Sequence, residues 1–395
     1  MPNPATILSA YPTQAINDII KEKNPKTLHV YIDIKNVAIS LFVESVCAEI
    51  LNVSECGGYL DSSIFQSFFY ISSEWKKYAI ARNLHLKIFL ITDIGRSESY
   101  HKKIDKRYKE NRDIVGHTSP VGSTKIKEIR DQNFNLGDQI CNKFEDIFFF
   151  NLKFLESDFL SYYLISRKFQ NDDSILHIIC SSDHDLYQNL LFSNTVQIYK
   201  SRQIKVTMDY RQIFTNWSHV EKSGAKNKSK KYESISKLNP WYFPAMMGIT
   251  GDAGDDVEGV RGVGALTVLN MFDDQEIVMK LIGTPQELDD RVASGGKFFK
   301  EDEIGLKNLS KKWQKVFLEN DLVTRSFKLV SFEQLSRYLE NSSLLEDKKY
   351  LKYIDDVLEK KDVDMMPSAY SFLTAIHGTL SDNYLTEDMI DPLFI

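Results

Sequence analysis

Eight carboxylates stand out by type and spacing. Glu156 and Asp158 open an apolar segment, and Asp183 and Asp185 follow a short apolar run. Asp252 and Asp255 lie in a glycine-rich stretch, while Asp33 and Asp93 each close an apolar run. Acids two apart point away from one another in mid-helix and to opposite faces of a strand. At a strand-to-helix turn, or in a first helical turn, both can face one crevice. Paired carboxylates repel and raise each other's pKa unless cations share the site. Hard divalent cations with oxygen ligands are the natural match, and no Cys/His cluster competes for zinc. The competing reading is structural, since an Asp after a strand is commonly a turn residue or a helix N-cap.

The elements that must position these acids are visible as three short apolar runs. They are Leu28 to Ile32 (LHVYI), Leu86 to Thr92 (LKIFLIT) and Ile175 to Cys180 (ILHIIC). Each is rich in β-branched and aromatic residues and lies between longer helix-like segments, the alternation of a parallel α/β sheet. Each run ends in acids, and in open parallel sheets the functional crevice lies outside the carboxyl ends of the strands. The glycine-rich stretch Gly251 to Gly264 (GDAGDDVEGVRGVG) has two readings. One is a phosphate-binding turn whose N–H groups face an anion; the other is a structural corner in which glycine supplies positive φ. Its end, Gly259 to Gly264, opens a predicted helix at Ala265 to Met271. It has the GxxGxG pattern of a helix–hairpin–helix that grips DNA backbone.

Charge is distributed unevenly. The chain has 395 residues and a net charge of −6, which excludes a uniformly basic nucleic-acid coat. Yet Arg96 to Arg112 holds seven basic residues against three acidic ones, and the polar sequence that follows to about Gly137 reads as an insertion projecting from the sheet. Lys222 to Lys237 holds six lysines against Glu233 and reads as a linker. Either run on its own is also compatible with a solvated surface. The four cysteines lack metal or disulfide spacing and read as reduced thiols. Met1 to Ala10 lacks the pattern of a secretory signal. The apolar stretch around Phe148 to Leu155 is far shorter than the roughly 20 residues that span a bilayer. No membrane is expected. The predicted organisation is a tail over 1–24, an α/β core over 25–220 with an insertion at about 95–137, a basic linker over 221–238, and a helical region over 239–395.

Taken in order, these motifs resemble the 5′→3′ exonuclease and flap endonuclease family, which includes phage 5′-nucleases and the 5′-nuclease domain of bacterial DNA polymerase I. VYIDIKN and FLITD resemble the first- and second-strand Asp motifs, at Asp33 and Asp93. YKENR (Tyr108 to Arg112) resembles the arch motif Tyr-Lys-x-x-Arg, FLESDFL the Glu-Ala-Asp-Asp motif, and IICSSDHDLYQNL the Ser-x-Asp-x-Asp-Leu-x-Gln motif. GITGDAGDDVEGVRGVGALT resembles the helix–three-turn–helix. The sequence departs from the pattern at Phe159 for an Asp, His184 for a Lys, Asp256 for an Asn, Glu258 for a Pro and Leu266 for a Lys. The last removes one expected phosphate contact.

The resemblance implies a PIN-like α/β fold with a mostly parallel sheet, a helical arch and a C-terminal helical region. It implies two-metal hydrolysis of phosphodiesters near 5′ ends or flaps, using Mg²⁺ with Mn²⁺ as a substitute. Asp33, Asp93, Glu156 and Asp158 would surround the first ion. Asp183 and Asp185 would bridge or hold the second, with Asp252 and Asp255 acting from the outer shell. Lys109 and Arg112 would stabilise the scissile phosphate, joined on charge alone by Lys103 and Arg107, all on an exposed arch that guides a single strand. Backbone groups of Gly259, Val260, Gly262, Val263 and Gly264, with Thr267, would hold the duplex, and K⁺ would bind carbonyls of that turn. Implied partners are DNA with a 5′ end, flap or nick, an RNA–DNA hybrid at primers, and replication proteins around a monomer in the cytoplasm of a bacterial or phage-infected cell. Rival expectations are a PIN-like ribonuclease, a non-catalytic DNA-binding scaffold, and a protein whose acids are only caps and turns.

Overall fold

The computed structural model describes residues 12, 14–34, 69, 71–94, 100–110, 137, 141–153, 155–170, 172–201, 204–218, 237–300, 305–361 and 391–394. Most of the expected linker and much of the insertion, including Arg112, lie outside them. The chain divides into two compact units: 1–96, 117–208 and 349–395 form one, and 97–116 with 209–348 the other. These boundaries differ from those predicted. The insertion's first part belongs with the helical region, and the last segment of the chain belongs with the sheet.

The first unit is built on a six-stranded sheet: β1 Thr27–Asp33, β2 His85–Ile94, β3 Ile147–Lys153, β4 Ile175–Cys180, β5 Thr195–Ser201 and β6 Ile204–Met208. Their order is β3-β2-β1-β4-β5-β6, and only β6 is antiparallel to its neighbour. The α/β class and mostly parallel sheet are as expected. Leu28, Val30 and Ile32 alternate with His29 and Tyr31, and all five are buried. Burial on both faces is what a parallel sheet with two covered sides requires. The aliphatic face packs on Ile16 of the helix Gln14–Lys23 and on Trp75 of a helix over 71–80. Residues 14–23, read from sequence as part of a tail, thus supply core.

The other face is aromatic. His29, Tyr31, Phe89, Phe148, Phe169 and His177 meet ring to ring, with Tyr31 stacked on Phe89 at 4.7 Å. Edge strand β3 has its Asn151 N–H capped, donating to the Tyr353 hydroxyl at 3.0 Å. Lys360 donates to the carbonyls of Asn142 and Ile147 beside it. These contacts explain why the chain's last segment belongs to the sheet unit.

The second unit is helical. The helix Phe243–Thr250 is buried over all but its last residue, and the turn 251–264 and the helix Ala265–Phe272 follow. Further helices continue to Asn341, several opened by Asp, Thr or Ser N-caps such as Thr284 with its capping box to Glu287. Among the described residues no helix is long and apolar enough to cross a membrane.

Candidate metal centre and nucleic-acid interface

Three adjacent parallel strands, β2-β1-β4, deliver acids to one sheet edge. Asp33 closes β1 beside Ile91 of β2, and Asp93 is the penultimate residue of β2, paired with Leu152 of β3. Asp183 and Asp185 follow β4, and Asp185 opens a 3-10 helix. Glu156 and Asp158 precede and open the helix Asp158–Tyr163. Six of the eight expected carboxylates therefore sit on the carboxyl edge of one sheet.

Hydrogen bonds fix several of them. Ser181 Oγ donates to Asp33 Oδ2 at 2.8 Å, and the Asp183 N–H donates to Ser181 Oγ at 3.2 Å. The Asp185 N–H donates to Asp183 Oδ1 at 3.0 Å. Gln197 Nε2 donates to the carbonyls of Ser181 and Asp183, both at 2.9 Å, which pins the loop after β4 from β5. Asp93, 6% exposed, accepts from the Ser157 N–H at 2.9 Å, a contact that ties the Glu156–Asp158 turn to β2. Ser157, Ser181 and Gln197 are positioning residues that spacing alone did not single out. Ser181 lies within the quoted motif and could have been flagged there.

The donor set at this edge is all carboxylate oxygen, the chemistry of Mg²⁺ or Mn²⁺ sites. Cys180, the nearest thiol in sequence, is wholly buried in the core, and burial pushes its pKa up. His184 is exposed, its ring 5.1 Å from that of Tyr187. The donor chemistry suits hard divalent ions.

The remaining two acids lie in the second unit with partners of their own. Asp252 Oδ1 accepts from the Gly254 N–H at 2.7 Å, and its backbone pairs with Val257. Asp255 is 5% exposed. Its Oδ2 is reached by Lys109 Nζ at 2.9 Å and by the Tyr108 hydroxyl at 3.0 Å, while the Lys109 N–H donates to the Asp255 carbonyl. Lys109 is itself only 5% exposed, which corrects the expectation of an exposed arch lysine. The cause is the buried carboxylate: desolvating either charge alone costs several kcal/mol, and the pair offsets it. Lys103 and Arg107 are exposed as expected. Arg107 pairs with Asp105 at 3.1 Å and with Glu258 at 3.6 Å, and Arg325 reaches Glu258 at 3.2 Å. Hydrogen bonds from Arg107, with Arg325 nearby, hold the Asp105 carboxyl below its usual range. Glu258 thus uses the position where the resembled pattern has proline for an ion-pair network.

The structural reading of the glycine-rich turn holds for two of its glycines. Gly251 has φ 66°, and a Cβ there would stand 2.4 Å from Gly259 N. A Cβ on Gly259 would meet the Thr250 carbonyl oxygen at 1.9 Å. These two are demanded by the fold. Gly264 is different: a Cβ there would meet nothing within 4 Å. It caps the helix Ala265–Phe272, and its carbonyl accepts from the Thr267 and Val268 N–H groups. Val260 and Val263 are buried struts of the turn. Lys312 Nζ donates to the Gly262 carbonyl at 3.2 Å and Lys315 Nζ to that of Arg261. These two lysines, about fifty residues downstream in sequence, had no motif to mark them.

No protein-family profile and no curated protein matches the sequence. Solved structures do match the fold. The bacteriophage T5 D15 protein co-crystallised with metal ions is 17% identical, with a TM-score of 0.51 over 85% of this chain and 100% of that one. T5 5′-exonuclease with bound zinc is 16% identical, with a TM-score of 0.51 over 84% of this chain and 98% of that one. A T5 D15 flap endonuclease complex with DNA and metal ions is also 16% identical, with a TM-score of 0.52 over the same shares.

Proposed function

We propose that this chain is a metal-dependent 5′ nuclease that hydrolyses phosphodiesters at or near the 5′ ends or flaps of duplex DNA. The observation that carries the reading is the set of six carboxylates on one parallel-sheet edge. The fold shared with phage T5 structures described as a 5′-exonuclease and a flap endonuclease supports it.

Asp33, Asp93, Glu156, Asp158, Asp183 and Asp185 would hold two Mg²⁺ ions, or Mn²⁺ in their place. Bound there, divalent ions supply Lewis-acid stabilisation of phosphate charge and lower the pKa of an attacking water. The chain's own residues orient the carboxylates: Ser181 and Gln197 fix the loop of Asp183, and Ser157 fixes Asp93. Asp252 and Asp255 remain outer-shell candidates by resemblance. Exposed Lys103 and Arg107, and Arg112, would draw a single strand toward the site by charge. Lys109 acts through Asp255 as a positioning residue of the arch base.

The turn 259–264 would receive duplex backbone. Gly264 leaves space for close approach, Thr267 lies in the first helical turn behind it, and Lys312 and Lys315 supply the charge that Leu266 does not. Two carbonyls of that turn already face ammonium groups, a poor fit for K⁺ at those atoms, and no step is assigned to it. Recognition would follow the shape and ends of the nucleic acid instead of base sequence.

Digestion of end-labelled flap, nicked, gapped and RNA-primed duplexes, with Mg²⁺ and with chelator, tests the reading. Metal-dependent release from 5′ ends or flaps supports it. Cleavage of RNA alone would favour a ribonuclease, and binding without cleavage a scaffold. RNA-primed substrates also decide whether primer removal belongs to its activity.

A further inference from the structure

The second unit contains a cavity of about 550 Å³, walled by the helices Tyr100–Ile104, Pro285–Ala293 and Phe332–Asn341 and by residues 342–344. That volume lies in the range of roughly 300–1,000 Å³ typical of ligand sites. Its charged lining is entirely cationic: Lys103, Lys328 and Arg337, with no carboxylate. Lys103 and Lys328 have no ion-pair partner among the described residues. Arg337 spends Nε on Glu333 at 2.7 Å and Nη1 on Asp290 at 2.5 Å, which leaves Nη2 to donate elsewhere.

The same wall is aromatic. The Tyr100 and Tyr338 rings lie 4.6 Å apart at 44°, and neither hydroxyl has a hydrogen-bond partner among the described residues. Tyr100 is buried while Tyr338 is partly exposed, so Tyr338 offers the accessible ring. The cavity thus presents two ammonium groups and one accessible ring to the same space.

We infer that this cavity binds one or two unpaired nucleotides, with a base against Tyr338 and phosphates on Lys103 and Lys328. Lysine meets phosphate as a point charge, and an aromatic face accepts any base, so the pairing is independent of sequence. The inference deepens the nuclease reading, on which it rests for the single-strand role of Lys103, and adds a site apart from the carboxylate edge and the glycine turn. A free nucleotide and an unpaired strand end share this chemistry.

The test uses the full chain in chelator, where no cleavage is read. Anisotropy of a labelled oligothymidylate is measured for the parent, Lys328→Ala, Tyr338→Leu and Tyr338→Phe, beside a blunt duplex, with melting curves for each. An iododeoxyuridine-substituted oligothymidylate is photocrosslinked to the parent and the adduct mapped. Loss of the lysine or the ring should weaken oligothymidylate binding at least about fivefold, as expected for removing a stacked base or a phosphate interaction. Blunt-duplex affinity should not change, Tyr338→Phe should bind like the parent, and the crosslink should map to Tyr338 or Tyr100. Thymidine monophosphate that competes assigns the site to free nucleotides; failure to compete while the oligomer binds assigns it to strand ends. Parent-like binding by Lys328→Ala together with crosslinks mapped elsewhere would overturn the inference, even if Tyr338→Leu fails to fold. The nuclease reading is unaffected by that result, since its own readout is cleavage in Mg²⁺.

Discussion

Lys109 Nζ lies 2.9 Å from Asp255 Oδ2, with both side chains less than a tenth exposed. The pair joins the Tyr-Lys arch motif to the glycine-rich turn inside one unit. Lys109 takes a left-handed backbone conformation, φ 55°, which turns its own N–H onto the Asp255 carbonyl. Residues from two motifs that read as separate pieces of chemistry form one buried contact.

Breaking that contact should be costly. Lys109→Ala leaves a buried carboxylate without its cation, a change worth about 3–5 kcal/mol. The double variant Lys109→Met/Asp255→Asn removes both charges and should recover most of the loss. Chemical denaturation of Lys109→Met, Asp255→Asn and the double variant measures the coupling. Losses that simply add would mean that the two groups do not interact.

The glycines of the turn should separate folding from binding. Gly259→Ala drives a Cβ into the Thr250 carbonyl and should cost at least about 2 kcal/mol. Gly264→Ala meets no atom, so its cost is limited to a poorer N-cap, under about 1 kcal/mol. Its effect should appear instead as weaker duplex binding. Paired melting curves and duplex titrations check this, and equal behaviour of the two variants would refute the division.

Lys312 and Lys315 should contribute to the salt dependence of duplex binding. Every phosphate that goes without its cation lowers the slope of log K against log salt by about 0.9. Lys312→Ala/Lys315→Ala should therefore flatten the slope by close to 2 if both meet phosphate. An unchanged slope would confine them to their hydrogen bonds with the turn carbonyls.

The aromatic face of the sheet makes stability sensitive to acid. Burial lowers the pKa of His29 to about 2 and that of His177 to about 3, with mutual repulsion and Lys87 adding at His29 and Asp172 opposing at His177. Below the unfolded value near 6.5, the unfolded chain takes up protons that the folded one refuses. Stability therefore falls as pH drops below about 6.5, by ~2 kcal/mol per histidine at pH 5. Replacing His177 by Asn should make the dependence shallower by about 1.4 kcal/mol per pH unit. Denaturant midpoints between pH 7 and 5 measure it, and a parent-like slope in the variant would contradict the assignment.

Much of the scaffold was legible because burial writes itself into sequence. LHVYI, LKIFLIT and ILHIIC became β1, β2 and β4, and their terminal acids lie at the carboxyl edge. β3 was visible only as an apolar stretch, since an aromatic run of that length does not by itself distinguish strand from helix. β5 and β6 were missed because Gln197, Lys200 and Lys205 dilute their alternation. The burial of Lys109 was not legible at all. A run of seven basic residues looks solvated, and nothing local marks the one that pairs with an acid 146 positions away. The unit boundaries were misplaced for the same reason, since they depend on long-range partners such as Tyr353 on Asn151.

The most direct test of the proposed activity is cleavage of a labelled 5′-flap duplex in Mg²⁺ by the parent and by Asp183→Asn. The variant keeps the Oδ1 acceptor that holds the Asp185 N–H, so its melting curve and its duplex binding in Ca²⁺ should match the parent's. Losing one carboxylate charge from a metal-centred site should slow cleavage at least about a hundredfold, and chelator should abolish cleavage by the parent. Near-normal cleavage by Asp183→Asn, or parent activity that survives chelation, would contradict the account.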